Sequence, residues 1–419
     1  MSARKIKEAA DGSGSAIRGE VPSGRVAHYF GPAVLAVLVF AGQLKENPAL
    51  RWFPIDLTLT AAVAVVLCMV ITRIRMGPAS KWIVLPIALW LAFLPAIVIG
   101  PLDEAATTKV LTLYTVTLAL AVAPFQLLRS VEQRRAFLLS IAAIAVLAAT
   151  WAMLVSPTRV AEYTSRILLE GTNTIGTARI AMAGAIVLLL YSIMRGMRSG
   201  WRVVFAIVGV AVSFLAFSTG SRGPVLSAGV ALLTALVFLP VFRRYRVRAI
   251  VSVVSVGIVA IAIAAANASD GYTRVFSILL GEEDNSSETR LYLWQVADAQ
   301  IARSPFGSGW GSYGVAGIYT YPHNMILELG VEAGWLVTAI VCLVLIAGLC
   351  RSVRLAVEPT MAIMFALLVF ALLNALVSGD INGNRLLWPT LFAAWAGVAA
   401  VRASTVDTVE SDGPRKRLS

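Results

Sequence analysis

With 419 residues, of which 58% are hydrophobic and 14% charged, and a mean hydropathy of +0.80, the chain carries too much apolar surface to close around one water-soluble core, so the bilayer must be its solvent. Its 35 Lys and Arg against 23 Asp and Glu do not make a nucleic-acid footprint. The basic residues fall in short gaps between apolar runs, where they act as a topology signal.

The opening segment through Arg25 is polar, contains Gly and Ser, and shows no cleavable signal pattern, so residues 1–26 read as a cytoplasmic tail. A helix needs roughly 20 mostly apolar residues to cross the hydrocarbon. By that measure spans are predicted near 27–44, 55–72, 82–100, 108–128, 136–156, 174–194, 201–217, 224–241 and 249–268, followed by 324–350, 360–378 and 386–401. These twelve spans put both termini on one side. The gaps holding Arg73 and Arg75, Arg134 and Arg135, Arg195 and Arg198, Arg243 and Arg244, and Arg351 and Arg354 alternate onto the side of the N-terminal tail, and the tail at 402–419 ends in an Arg-Lys-Arg run. The positive-inside rule makes that side cytoplasmic. Cys68, Cys342 and Cys350 lie in or beside apolar runs and read as small core residues, neither disulfide partners nor metal ligands.

One outer segment, 269–323, is unlike every other connection, and long ordered loops usually carry function. It divides the chain into nine spans over 27–268 and three over 324–401. Within it, Leu291, Trp294, Ala297 and Ile301 recur at helical spacing, with Ser286 and Ser287 as N-cap candidates and Ser304-Pro305 as a stop. An amphipathic helix over 287–303, lying at the membrane surface, is expected.

Three basic groups reach the outer face near helix N-termini: Arg222 in the turn Ser218-Thr219-Gly220-Ser221-Arg222-Gly223-Pro224, Arg290 at the start of the loop helix, and His323 before the tenth span. Helix starts offer unpaired N–H groups and partial positive charge, so an Arg there suits phosphate or diphosphate. Singly, Arg222 also reads as a snorkelling interfacial residue and Arg290 as a solvated one. His323 is the one imidazole on the outer side, since His28 falls at the cytoplasmic end of the first span. A helix start disfavours imidazolium, so His323 is expected to be neutral and able to accept a proton, or else to make a structural hydrogen bond, with Asn324 capping the next helix. Arg166, Arg179, Asp380 and Arg385 fall on the outer half and suggest a lined cavity, although Asp380 and Arg385 could also simply pair. Glu282, Glu283 and Asp284 read as a solvated acidic run and not as a metal site. Gly307, Gly309 and Gly311 lack the Lys-Ser/Thr of a phosphate loop and read as a compact loop near the active face.

The run Thr289-Arg290, Trp294, Ser304-Pro305-Phe306-Gly307 with Gly309 and Gly311, then His323-Asn324 and Glu328 through Gly334, resembles the signature region of the O-antigen ligase and polymerase superfamily. Ser221-Arg222-Gly223 is similar to that family's other recurrent motif, and the hydropathy outline also matches. The resemblance implies an all-α, GT-C-like membrane glycosyltransferase in a bacterial inner membrane, with its site on the periplasmic face and no cofactor or metal. It implies a donor of O-antigen on undecaprenyl diphosphate and, for the ligase branch, lipid A-core as acceptor. Carried over by position, Arg222 and Arg290 would bind the donor diphosphate and His323 would act in catalysis, with Arg166, Arg179, Asn324, Asp380 and Arg385 as supporting candidates. An O-antigen polymerase and a protein O-oligosaccharyltransferase share this donor and differ in acceptor. A lipid-linked glycan transporter would want inverted repeats and midplane charges, and neither is evident.

Overall fold

The computed structural model describes residues 23–50, 52–101, 103–155, 158–160, 163–194, 197–243, 246–247, 250–251, 285–314 and 319–396. The helices are α1 (Ser23–Leu44), α2 (Leu57–Met76), α3 (Lys81–Ile99), α4 (Glu104–Leu127), α5 (Val131–Leu154), α6 (Thr174–Ile193), α7 (Ser199–Ser218) and α8 (Arg222–Phe238). They continue with α9 (Asn285–Arg303), α10 (Met325–Glu332), α11 (Gly334–Leu355), α12 (Pro359–Val377) and α13 (Leu387–Ala396). Among the described residues, eight helices are long and apolar enough to cross a membrane, and α8 and Tyr29–Leu44 of α1 add shorter apolar ones. The chain is an all-α polytopic membrane protein. The expected ninth span at 249–268 lies almost wholly outside the described residues, as do the tails and the end of the twelfth span.

Local chemistry starts these helices where the sequence supplies a cap. Asp56 Oδ1 accepts the N–H groups of Thr58 and Leu59 at the start of α2, at 2.8 and 3.0 Å. Ser130 and Gln133 exchange bonds in a capping box that opens α5. Asn173 takes the Gly176 N–H at 2.7 Å to open α6.

The helices sort by what surrounds them. α6, α12 and α13 are buried on nearly all sides. Small residues let α6 come close to its neighbour: a Cβ on Gly184 would stand 2.1 Å from Cβ of Ala145 on α5. By contrast α2 turns Leu59, Val63, Leu67 and Val70 outward. Outward leucines and valines are what a lipid-facing helix shows, since lipid tails are as apolar as the side chains they meet.

The predicted tenth span is not one helix. It breaks at Ala333 and Gly334, the latter with φ +85°, and the glycine-containing loop explains how the break is tolerated. Ser308 and Gly309 donate their N–H groups to the carbonyls of Val331 and Glu332, at 2.8 and 2.9 Å, and the Trp335 N–H donates to the Pro305 carbonyl at 3.0 Å. The polar groups that a helix end leaves open are thereby satisfied by the loop. Backbone must pass very close to backbone here. A Cβ on Gly307 would lie 2.7 Å from the Glu332 carbonyl oxygen, and one on Gly309 only 1.9 Å from Cα of Gly100. Both glycines also hold left-handed φ. The loop is compact, as the sequence reading expects.

Two further expectations change. The loop helix begins at Asn285, so Ser286 and Ser287 lie inside it and are not its caps. Its buried face is Leu293, Ala297 and Ile301, packed with Tyr313 and Val331, while Leu291 is 56% exposed. The helix is therefore docked on α10, where Ile301 fills the space over Gly330. Trp294, assigned to that face by spacing, instead donates its indole N–H to the Pro322 carbonyl at 3.0 Å. Thr158–Val160 and Tyr163–Leu168 pair as two short antiparallel strands, a small hairpin that the sequence reading did not anticipate.

Candidate functional site

The alternation of the helices puts the starts of α6, α8 and α10 and the link 378–386 between α12 and α13 at one end of the bundle. Contacts tie that end together. The Asn47 amide donates to the Glu170 carbonyl at 2.9 Å, the Trp310 N–H donates to the Ala96 carbonyl at 3.1 Å, and the Ile381 N–H donates to Glu328 Oε2 at 2.9 Å.

His323 stands where the loop meets α10. The following Asn324 caps α10, its Oδ1 accepting from Ile326 and Leu327 at 2.9 and 3.3 Å. The preceding Pro322 is pinned by Trp294. Held from both sides, His323 takes φ +57°, the one left-handed non-glycine among the described residues. That conformation is uncommon for a residue with a Cβ and persists where its surroundings over-determine it. Its ring meets Tyr321 edge to face at 4.6 Å between centroids, with Tyr319 at 6.4 Å. Nδ1 is buried and has no hydrogen-bond partner among the described residues. Burial, then Arg290 and Arg179, hold the imidazole below its ordinary pKa, with Asp380 pulling the other way. The ring is therefore neutral near pH 7 and free to accept a proton. Burial, with Asp380 and Glu328 behind it, pushes the Tyr321 phenol up, so it stays protonated.

Arg222 is the first residue of α8. The turn before it is set by Gly220 at φ +70° and by the Ser221 N–H, which donates to Thr219 Oγ1 at 3.1 Å. Gly223 sits against Val377, the would-be Cβ lying 3.6 Å from its Cγ2. The arginine turn is thus seated on the end of α12, next to Ser378. Arg290 lies in the second turn of α9 and not at its first residue.

Of the supporting candidates, Arg179 donates from Nη2 to the carbonyls of Ser378 and Asn374, at 2.8 and 3.3 Å. Asp380 does not pair with Arg385. Its Oδ1 accepts the Gly383 N–H at 2.7 Å, while Arg385 Nη1 reaches Thr58 Oγ1 at 3.4 Å and the Leu38 carbonyl at 3.5 Å. Arg166 is in the second strand of the hairpin, and its side chain is outside what the structure describes. Glu282, Glu283 and Asp284 are likewise outside the described residues. The structure thus gathers Arg179, Arg290, His323 and Asp380 into one electrostatic neighbourhood and sets the Arg222 turn against the same helix end.

The sequence reading passed over a buried cluster beneath this site. Lys109 Nζ lies 2.5 Å from Glu328 Oε1 and 2.6 Å from Glu332 Oε2, with both carboxylates fully buried. The ammonium also stands 6.0 Å from the Trp310 ring centroid. The signal was available: Lys109 interrupts the fourth apolar run, and Glu328 and Glu332 lie four apart in the tenth, where charges are costly enough to demand a partner.

Residues 207–342 match the family model described as O-Antigen ligase. The matched stretch holds Arg222, Arg290, His323 and the glycine loop. No curated protein matches the chain.

Proposed function

We propose that this chain, which belongs to the O-antigen ligase superfamily through residues 207–342, transfers O-antigen polysaccharide from undecaprenyl diphosphate to a sugar of lipid A-core on the periplasmic face of a bacterial inner membrane, with both termini cytoplasmic. The observation that carries the reading is His323: a half-buried, neutral imidazole in a strained backbone position, its Nδ1 without a hydrogen-bond partner among the described residues, near two arginines that hold it neutral.

In this reading an acceptor hydroxyl attacks the anomeric carbon of the donor's first sugar. A new C–O bond forms, the bond from that carbon to the diphosphate oxygen breaks, and its electron pair leaves with undecaprenyl diphosphate. His323 takes the hydroxyl proton. The charge that grows on the diphosphate is met by Arg222, at a helix start, and by Arg290. A single displacement inverts the anomeric centre. Two guanidinium groups supply the countercharge that a divalent ion would otherwise give, so the reaction is proposed to proceed without metal. Asn324 and Asp380 fix the two segments that border the imidazole, and Arg179 joins Arg290 in keeping it neutral. Arg166 has a supporting place by resemblance alone.

The test is transfer by purified protein, in chelator, from one lipid-linked glycan donor to three acceptors offered separately: lipid A-core, a second lipid-linked repeat, and a hydroxyl-bearing peptide. Product on lipid A-core supports the ligase. Product only on the repeat or the peptide replaces it with the polymerase or the oligosaccharyltransferase, and no product on any acceptor rejects transfer.

A pH series tests the imidazole's setting. The Arg290 cation disfavours imidazolium, so Arg290→Gln should raise the His323 pKa and move the acid limb of the transfer profile to higher pH. Asp380→Asn removes the opposing charge and should move that limb to lower pH. Equal limbs in all three proteins would mean that the titrating group is not His323.

A further inference from the structure

A second polar cavity lies beside the transfer site, and His323, Arg222, Arg290 and Asp380 do not line it. It is a half-open recess between α1, α6, α12 and the start of α13, with about 30 Å³ of room inside. Its polar wall is Gln43, Arg179, Asn374, Asn384 and Arg385, and its apolar wall includes Val39, Phe40 and Phe370.

The two guanidinium groups are built in. Arg385 lies against Gly42, where a Cβ would stand 2.9 Å from its Cζ, and Arg179 lies against Gly379, where a Cβ would stand 3.3 Å from Nη1. Side chains at either glycine would displace them. Among the described residues, neither arginine has a carboxylate within 4.0 Å. Three buried polar atoms of the wall also lack a hydrogen-bond partner among the described residues: Arg179 Nε, a donor, and Gln43 Oε1 and Asn374 Oδ1, both acceptors. Asn374 is only 2% exposed, and its amide nitrogen is fixed by donating to the Phe370 carbonyl at 2.8 Å, which aims the oxygen. Buried polar groups left this way are costly, so a site holding three of them beside two guanidinium groups, which bond to carbonyl and hydroxyl oxygens and share Asp380 as a more distant counter-charge, is shaped for something that supplies both acceptors and donors.

We propose that this cavity binds the phosphate of an anionic lipid whose headgroup carries hydroxyl donors. Phosphate oxygens accept from Arg179 and Arg385, headgroup hydroxyls donate to Gln43 and Asn374, and the first carbons of the chains lie along Val39, Phe40 and Phe370. The proposal does not rest on the transfer reaction, and its test reads binding alone.

The test is native mass spectrometry and thermal unfolding of the full chain in detergent, with three probes added separately: dioleoyl phosphatidylglycerol, dioleoylglycerol without the phosphate, and glycerol 3-phosphate without the chains. The expected result is that phosphatidylglycerol is retained and raises the unfolding temperature while dioleoylglycerol does neither. Its affinity should fall at least about ten-fold in Arg385→Gln and about three-fold in Gln43→Leu. Gln43→Leu keeps both charges and decides the matter if Arg385→Gln fails to fold. Stabilisation by glycerol 3-phosphate equal to that by phosphatidylglycerol would keep the anion site but assign it a soluble ligand. Equal effects of phosphatidylglycerol and dioleoylglycerol, or unchanged phosphatidylglycerol binding in a folded variant, would overturn the proposal.

Discussion

Replacing His323 by alanine should lower glycan transfer by about two to four orders of magnitude, the range that a positioned general base supplies, while leaving donor binding close to that of the wild type. Its position makes the result separable from a folding defect. The residue holds φ +57°, a conformation that costs alanine as much as histidine and costs glycine almost nothing. His323→Gly should therefore fold at least as well as the wild type and still be inactive. His323→Gln keeps a polar side chain of similar reach without a titratable nitrogen and should be inactive too. Arg222→Ala should differ in kind: it removes charge from the leaving-group side, so donor affinity and turnover fall together. Transfer near wild-type rates by either His323→Gly or His323→Gln would remove the imidazole from the chemistry.

Much of this architecture is written in the sequence in a form that single-residue reasoning can read. Apolar runs of about 20 residues can hardly be anything but spanning helices in a chain this hydrophobic, and eleven of the twelve expected segments are helical within the described residues. Where the reading erred, the deciding information was non-local. The break at Gly334 depends on residues 304–309 passing over it and taking its carbonyls, and hydropathy along 324–350 carries no trace of that. The buried face of α9 was read correctly at Ala297 and Ile301 but extended to the wrong side at Leu291, because Trp294 and Leu291 fit the helical period as well as Leu293 does. What separates them is the presence of Tyr313 and Val331 on one side only. At the site, Arg179, Arg290, His323 and Asp380 were legible as polar residues on the outer side of the apolar runs, yet their meeting depends on α12 packing against both α6 and α8. Asp380 and Arg385, five apart, looked like a pair, but each finds partners elsewhere that a linear reading does not place beside it.

Lys109→Met should be the most destabilising single change in the described structure, by about 3–5 kcal/mol, because it leaves two buried carboxylates side by side without their cation. Glu328 and Glu332 are fully buried, and Lys109 is the one ion-pair partner that the described residues provide for either. The damage should also reach the transfer site. Glu328 belongs to the helix that begins directly after His323 and Asn324, and its second oxygen holds the N–H of Ile381, the residue after Asp380. One side chain thus fixes the spacing between the imidazole segment and the aspartate segment, and the lysine fixes that side chain. Combining Lys109→Met with Glu328→Gln and Glu332→Gln removes all three charges while glutamine keeps an acceptor for Ile381. That triple variant should recover much of the lost stability, since replacing a buried ion cluster by neutral groups costs far less than breaking it. Unfolding midpoints in detergent, with gel filtration to check for monodisperse protein, read the comparison. If Lys109→Met and the triple variant unfold at the same temperature, the loss comes from packing around Trp310, where the ammonium also sits, and the electrostatic account of this cluster fails.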